Sequence, residues 1–161
     1  MKQLTVLFLV RGDEVLLAMK KRGFGKDRWN GVGGKVEPGE THEQAMIREC
    51  QEEIKVTPLM YEKVAKIIFD EHQNGQPTEL EVHVYLSYRW NGEPEETEEM
   101  APKWFKKTDL PYHTMWADDP YWLPKVLEGK KLTAKFKLNH KDGVVSSDVH
   151  LLEQGNVELL V

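Results

Sequence analysis

The sequence predicts an α/β fold, a sheet covered by helices, on three observations. Short β-rich apolar runs recur along the chain, separated by turn residues. One strong helix signal interrupts them, directly after a glycine-dense stretch. The length, 161 residues, is that of about one domain, so a single domain over residues 1–161 is expected. Strands and helices interspersed in a chain of this size bury their apolar faces as layers. Hydrophobic residues make up 40% and charged residues 30%, which suffices for one core without disulfides or a structural metal.

Leu4 to Val10 and Val15 to Met19 are the first two strands, and Arg11-Gly12-Asp13-Glu14 between them supplies turn residues for a hairpin. Lys20-Lys21-Arg22-Gly23-Phe24-Gly25 is a basic, glycine-containing loop, and Trp29 to Val36 is glycine-dense. A helix begins near Thr41, where Thr41-His42-Glu43-Gln44 has the form of a capping box. Ala45, Met46, Cys50 and Ile54 supply its apolar stripe, and Pro58 limits it. Val64 to Asp70 and Glu81 to Tyr88 are two further strands, with His72 to Thr78 as the loop between them. Asn91-Gly92 is a turn, Trp104-Phe105 a short strand, and Tyr121 to Leu127 a short helix ending at Gly129. The tail is a hairpin in which Ala134, Phe136 and Leu138 alternate with lysines and Asp142-Gly143 turns the chain.

Composition removes several functions. Lys and Arg number 22 against 27 Asp and Glu, a formal charge of −5. Binding duplex nucleic acid needs a basic surface to neutralise phosphates, so it is not expected. The single cysteine, Cys50, excludes an internal disulfide framework and a cysteine-built zinc site. The longest apolar run, Val6 to Val10, falls far short of the ~20 residues that span a bilayer. No small-residue cleavage site follows it, so it is a strand and not a signal peptide. A cytoplasmic protein without a membrane partner is expected.

The strongest chemical signal is Arg48-Glu49-Cys50-Gln51-Glu52-Glu53. On a helix, Glu49, Glu52 and Glu53 share a face, and like charges at that spacing repel. A divalent cation relieves the repulsion, and carboxylate oxygens suit Mg²⁺ or Mn²⁺. An isolated acidic run of this form is more often a solvated face. Here it follows a glycine-rich loop, a lysine and a capping box, and that context favours a metal.

The pattern Gly34-x5-Glu40-x7-Arg48-Glu49-x2-Glu52-Glu53 resembles the Nudix box, the signature of Mg²⁺-dependent hydrolases acting on a nucleoside diphosphate linked to another group. Cys50 stands where the box usually has a larger aliphatic residue, a mild packing change. Lys55 stands where it usually has Gly. If that position requires positive φ, Lys costs up to ~1 kcal/mol, so altered helix-end geometry with retained chemistry is expected. The resemblance implies the Nudix fold, an α/β/α sandwich with a mixed β-sheet. It implies Glu49 and Glu53 as the main metal ligands, with Glu52 as a further ligand or the base for water. The Gly33 carbonyl is a further ligand. Glu40 would support the glycine loop and helix, and Arg48 would pair with a box glutamate and orient the ligands.

Outside the box, Met19 to Gly25, Arg28-Trp29-Asn30-Gly31 and Met115 to Trp122 resemble one Nudix branch. These are the MutT homologues of the animal oxidised purine nucleoside triphosphatase (8-oxo-dGTP diphosphatase) type, and the likeness runs from about Leu4 to Phe136. It implies a base pocket in which Trp116 stacks on the purine and Phe24 forms part of the wall. Asn30, Asp118 and Asp119 would reach the base edge, where adjacent carboxylates cannot easily both ionise. A pair able to switch donor and acceptor roles would accept both oxidised guanine and oxidised adenine. The residues alone leave Trp116 open as a core residue and Asp118-Asp119 as a helix cap. Thr5 and Lys20 match positions near the nucleoside, Lys20 also being one of a surface Lys-Lys-Arg run. Leu80 matches a pocket-lining position where the branch can carry Met. Glu99 matches a glutamate outside the box that contributes to metal or water, its alternative being a solvated acidic loop. The histidines form no visible cluster, and His83 reads as a satisfied core or pocket-edge residue.

The expected activity is hydrolysis of 8-oxo-dGTP and 2-oxo-dATP to monophosphate and pyrophosphate by a monomer that cleans the nucleotide pool. The alternatives are a Nudix hydrolase for ordinary dNTPs, methylated purine nucleotides, an ADP-sugar or capped RNA, and a nucleotide sensor without turnover. The presence of Glu49, Glu52 and Glu53 together disfavours the sensor.

Overall fold

The structure is a computed structural model that describes residues 1–73, 76–153 and 160–161. Strands β1 (Lys2–Arg11) and β2 (Glu14–Lys20) form the expected hairpin, with Val10 opposite Val15 and Gly12 in the turn at φ 58°. The glycine-dense stretch is not a loop. It forms two short strands, β3 (Trp29–Asn30) and β4 (Val32–Lys35). Helix α1 (His42–Ile54) follows, and then β5 (Thr57–Gln73) and β6 (Gln76–Asn91), a long antiparallel pair. Both strands run well beyond their expected bounds, and most of the expected His72–Thr78 loop is strand; residues 74–75, at its tip, lie outside the described residues. Strand β7 (Met100–Lys106) extends past the Trp104-Phe105 pair that announced it. A 3₁₀ turn at Tyr112–Thr114, not anticipated, precedes helix α2 (Asp119–Leu127). Helix α2 starts two residues earlier than expected because Pro120 sits in its first turn, where a missing N–H costs nothing. The tail hairpin, β8 (Lys131–Leu138) and β9 (Val144–Leu152), forms as expected.

The sheet is mixed, in the order β3-β2-β1-β6-β5-β8-β9, with β4 paired to β1 and β7 to β2. Strand β1 runs parallel to β6, and β5 parallel to β8; the other pairings are antiparallel. The sheet forks at β1. Its Leu4–Leu7 half pairs with β4, and only Val10 and Arg11 pair with β2. The two branches diverge from there and leave a cleft between them.

Successive strand residues face opposite sides, and both sides of this sheet are covered. Leu7, Leu9, Leu16 and Ala18 pack with Met46, Cys50 and Ile54 of α1. Phe8, Val10, Val15 and Leu17 pack with Trp122, Leu123 and Val126 of α2. Two-sided burial explains why β1 reads as an unbroken apolar run rather than an alternating one. The result is the expected α/β/α sandwich. Among the described residues no helix is long and apolar enough to cross a membrane.

Helix α1 is capped at both ends. Thr41 Oγ1 accepts from the Gln44 N–H at 3.1 Å, and Gln44 Oε1 accepts from the Thr41 N–H at 2.9 Å. At the other end Lys55 adopts the left-handed conformation itself, φ 63° and ψ 32°, and its N–H donates to the Gln51 carbonyl at 3.1 Å. This corrects the expectation of altered geometry. The helix end is kept, and Lys55 carries the strain that a glycine there would avoid.

Candidate active site

Glycine decides how closely α1 approaches β4. Gly33 lies opposite Val6 and Gly34 opposite Thr5. A Cβ on Gly33 would stand 1.8 Å from the Thr5 carbonyl oxygen, and one on Gly34 2.7 Å from the Glu49 carboxyl carbon. Without side chains the strand accepts two carboxylates. The Gly33 N–H donates to Glu53 Oε1 at 2.7 Å, and Glu49 lies against Gly34.

Arg48 ties the box together. Its Nε and one terminal nitrogen donate to both oxygens of Glu40 at 2.7 and 2.9 Å, a bidentate pair. The other terminal nitrogen donates to Glu49 Oε1 at 2.8 Å and reaches Glu52 at 3.5 Å. The nitrogen that bonds Glu40 also donates to the Lys35 carbonyl at 3.1 Å, so helix and glycine strand share one guanidinium. The Arg48 hydrogen bonds, helped by the Glu37 N–H, hold the Glu40 carboxyl down at about 2.

Glu53 is only 3% exposed. Burial pushes its carboxyl up to about 8, the charges of Glu49 and Glu99 push the same way, and the Gly33 N–H and Lys20 oppose them. Burial also raises Glu49, against the pull of Arg48. Glu52 is 61% exposed and turned toward solvent. Glu99 is half-exposed and accepts from Arg22 at 2.9 Å; it is close enough for its charge to be felt at Glu53. Among the described residues no three such side chains gather tightly enough to coordinate one ion as they stand, with Glu49 drawn toward Arg48. The donor set nevertheless fits a hard divalent cation: all ligands are oxygen, and a cation lowers the cost of charging buried Glu53 and Glu49 together.

The cleft of the forked sheet continues from this strand. Thr5, Lys20, Phe24, Asn30, Leu80, Trp116, Asp118 and Asp119 all line it, with Gly33 and Gly34 at the carboxylate end. Trp116 is not a core residue. Its ring stands 5.0 Å from that of Phe24, and the Arg28 guanidinium lies 4.0 Å over it. Asn30 Oδ1 accepts from the Gly31 N–H at 2.8 Å, which fixes the amide. Asp118 occupies the N-cap position of α2 but makes no side-chain cap; it accepts instead from the Trp122 indole N–H at 2.8 Å. Asp119 Oδ2 and Thr5 Oγ1 are buried with no hydrogen-bond partner. Burial raises both aspartates. Trp122 partly opposes this at Asp118, and the charge of Asp118 raises Asp119 further. Both carboxyls are therefore harder to ionise than in bulk water.

Two charged residues of the pocket escaped the sequence reading. Glu71, 5% exposed, lines the cavity. Its signal was present, because Ile67, Phe69 and Glu71 alternate along β5 and share one face. Arg28 stands in the Arg28-Trp29-Asn30-Gly31 stretch, but nothing in the sequence gave it a place over Trp116. One expectation is corrected: the histidines do cluster. His42 and His83 stack with ring centroids 3.6 Å apart, and the Nε2 atoms of both lie within 3.1 Å of Gln3 Oε1. The two residues sit on different elements, so spacing could not reveal it.

The NUDIX domain model matches residues 1–126. The chain belongs to the Nudix family. It is 41% identical over 152 residues to the oxidized purine nucleoside triphosphate hydrolase of Danio rerio, covering 94% of this chain and 96% of that protein. It is 41% identical over 142 residues to the Mus musculus protein of the same name, covering 88% and 90%. In fold it is similar to a MutT protein from Bacillus halodurans, with a TM-score of 0.79 at 23% identity over 92% of this chain and 97% of that one. A MutT Nudix hydrolase from Burkholderia pseudomallei matches with a TM-score of 0.62 at 29% identity, over 68% and 86%. The chain is thus a Nudix hydrolase, and family membership implies a nucleotide substrate and a divalent metal. The Nudix match ends within α2, yet β8 continues the same sheet and places Leu138 in the cleft.

Proposed function

We propose that this Nudix hydrolase cleaves oxidised purine nucleoside triphosphates, 8-oxo-dGTP and 2-oxo-dATP, to the monophosphate and pyrophosphate. One observation carries the reading: a single cleft joins the glycine strand under the carboxylate helix to an aromatic pocket floored by Asp118 and Asp119. The relatives of similar length named for this activity support it.

Trp116 stacks on the purine, as aromatic rings hold bases elsewhere at ~1–3 kcal/mol each, and Phe24 closes the wall beside it. Asn30, Asp118 and Asp119 hold the base edge. Because Asp118 and Asp119 share protons, one donates while the other accepts, and both oxidised purines find complementary partners. Lys20 stands between pocket and helix, where its charge meets the triphosphate. Glu49, Glu52, Glu53 and the Gly33 carbonyl would hold Mg²⁺, or Mn²⁺ in its place, with Glu99 assisting at the edge. Bound there, the cation neutralises the triphosphate and lowers the pKa of the attacking water. Glu52, the exposed box carboxylate, serves as a ligand or takes the proton from that water. Arg48 keeps Glu49 and Glu40 in place. The chain acts as a monomeric, cytoplasmic, single domain over residues 1–161, with no duplex nucleic acid or membrane as partner.

Product analysis tests the proposal. Wild type should convert 8-oxo-dGTP to 8-oxo-dGMP and pyrophosphate only with Mg²⁺ present. Glu53→Gln should lose at least ~10²-fold in kcat while keeping its circular dichroism. Full activity in Glu53→Gln would overturn the assignment of Glu53, and release of orthophosphate would overturn the reaction.

A further inference from the structure

The base pocket holds one carboxylate more than the pair at the start of α2. Glu71 reaches it from β5, on the face that also presents Ile67 and Phe69 to the cavity. It is buried, and its charge is felt at Asp118, which it helps to raise. The same cavity contains two buried polar atoms without partners, Asp119 Oδ2 and Thr5 Oγ1. Such atoms are costly unless a ligand satisfies them. Around them the floor is apolar, with Leu4, Val82 and Leu80. Arg28, over Trp116, is shared with Asp142 of the β8–β9 turn at 3.6 Å. The pocket is therefore rich in acceptors. It complements a base that brings N–H donors and disfavours one that brings lone pairs.

Both oxidised bases of the proposed function share one change of this kind. When C8 of guanine becomes a carbonyl, the neighbouring N7 turns from an acceptor into an N–H donor. When C2 of adenine becomes a carbonyl, a ring nitrogen beside it gains a proton likewise. We propose that Glu71 is a specificity-determining residue that recognises this new N–H, so that oxidation is detected by the donor it creates rather than by the added oxygen. A carboxylate oxygen accepts from the N–H of the oxidised base and finds no donor in the lone pair of the undamaged one. The inference rests on the substrate class proposed above, and it extends to purines made donor-rich by additional amino groups.

Binding of monophosphates by calorimetry, without metal and without turnover, tests it. The probes are 8-oxo-dGMP, dGMP and 7-methyl-8-oxo-dGMP, the last keeping the new carbonyl but lacking the new N–H. Wild type should bind 8-oxo-dGMP about 10- to 100-fold more tightly than either of the others, the range of one buried hydrogen bond whose loss leaves an acceptor unpaired. Glu71→Gln, nearly isosteric, should lose most of that ratio, and Glu71→Leu all of it, with dGMP bound no more weakly than by wild type. Equal binding of 8-oxo-dGMP and its 7-methyl form by wild type would overturn the inference without any variant. So would an undiminished ratio in Glu71→Gln. No preference of wild type for 8-oxo-dGMP over dGMP would instead overturn the substrate class, and the inference with it.

Discussion

Single atoms set the limits of this site. At Gly33 even a methyl group would meet the Thr5 carbonyl at 1.8 Å, and backbone cannot step aside as a flexible side chain can. Gly33→Ala should therefore destabilise the fold by about 1–3 kcal/mol and lower turnover, as urea unfolding and kinetics would show; unchanged stability would mean that the strand has room to move. Asp118 makes a different prediction. It accepts from Trp122, and burial raises its carboxyl together with that of Asp119, so Asp118→Asn should change the ratio of 8-oxo-dGTP to 2-oxo-dATP hydrolysis about 10-fold or more. Equal losses on both would point to a structural role. At this scale the sequence was most informative about the carboxylates of α1, whose spacing follows from helical geometry. The same logic applied to β5 would have found Glu71, but a lone acid in a strand resembles a solvated one until its neighbours across the sheet are known. Glu99 was located by resemblance, and the structure sets it apart from the cleft lining.

At the scale of elements, the ends of α1 carry the predictions. The capping box was legible because both partners lie within four residues of each other. The fate of Lys55 was not, since the chain had two answers: distort the helix end or accept strain. It accepts strain at φ 63°, so Lys55→Gly should stabilise the protein by up to about 1 kcal/mol, read as a higher urea midpoint; a lower midpoint would show that Lys55 makes a compensating contact. The first turn of α1 also brings His42 onto His83. Burial first, then the charges of Lys63 and His42, push His83 down to about 4. A base lowered in the fold stays neutral there while the unfolded chain takes up a proton. Its contribution is present above the usual histidine value of ~6.5 and is lost as pH falls from there toward about 4. Glu81, bonded to His83 and also lowered, loses its contribution in the same direction. Wild type should lose stability between pH 7 and 4.5, and His83→Gln should lose less. Parallel pH dependences would place the acid-sensitive group elsewhere.

At the scale of the molecule, the forked sheet turns two directions of packing into one working cleft. Strand β1 is buried on both faces, holds β4 and its glycines on one side of the fork, and leaves β2, β3 and β7 on the other. The alternating apolar runs and the length made the layered class legible. The fork was not, because it depends on which edge of β1 each short strand joins, and β3 and β4 are too short to announce themselves. The tail hairpin could be read as a hairpin, but not as a wall of the cleft: Leu138 and the Asp142–Arg28 pair connect it to the pocket only in three dimensions. This whole-molecule arrangement predicts that metal and base act through one cavity. The measurement that tests it most directly is Mg²⁺-dependent hydrolysis of 8-oxo-dGTP, 2-oxo-dATP and dGTP side by side, with products resolved by chromatography. A kcat/KM for both oxidised substrates well above that for dGTP, lost on chelation of the metal, is the predicted result. Equal rates on all three, or hydrolysis of none of them, would contradict it.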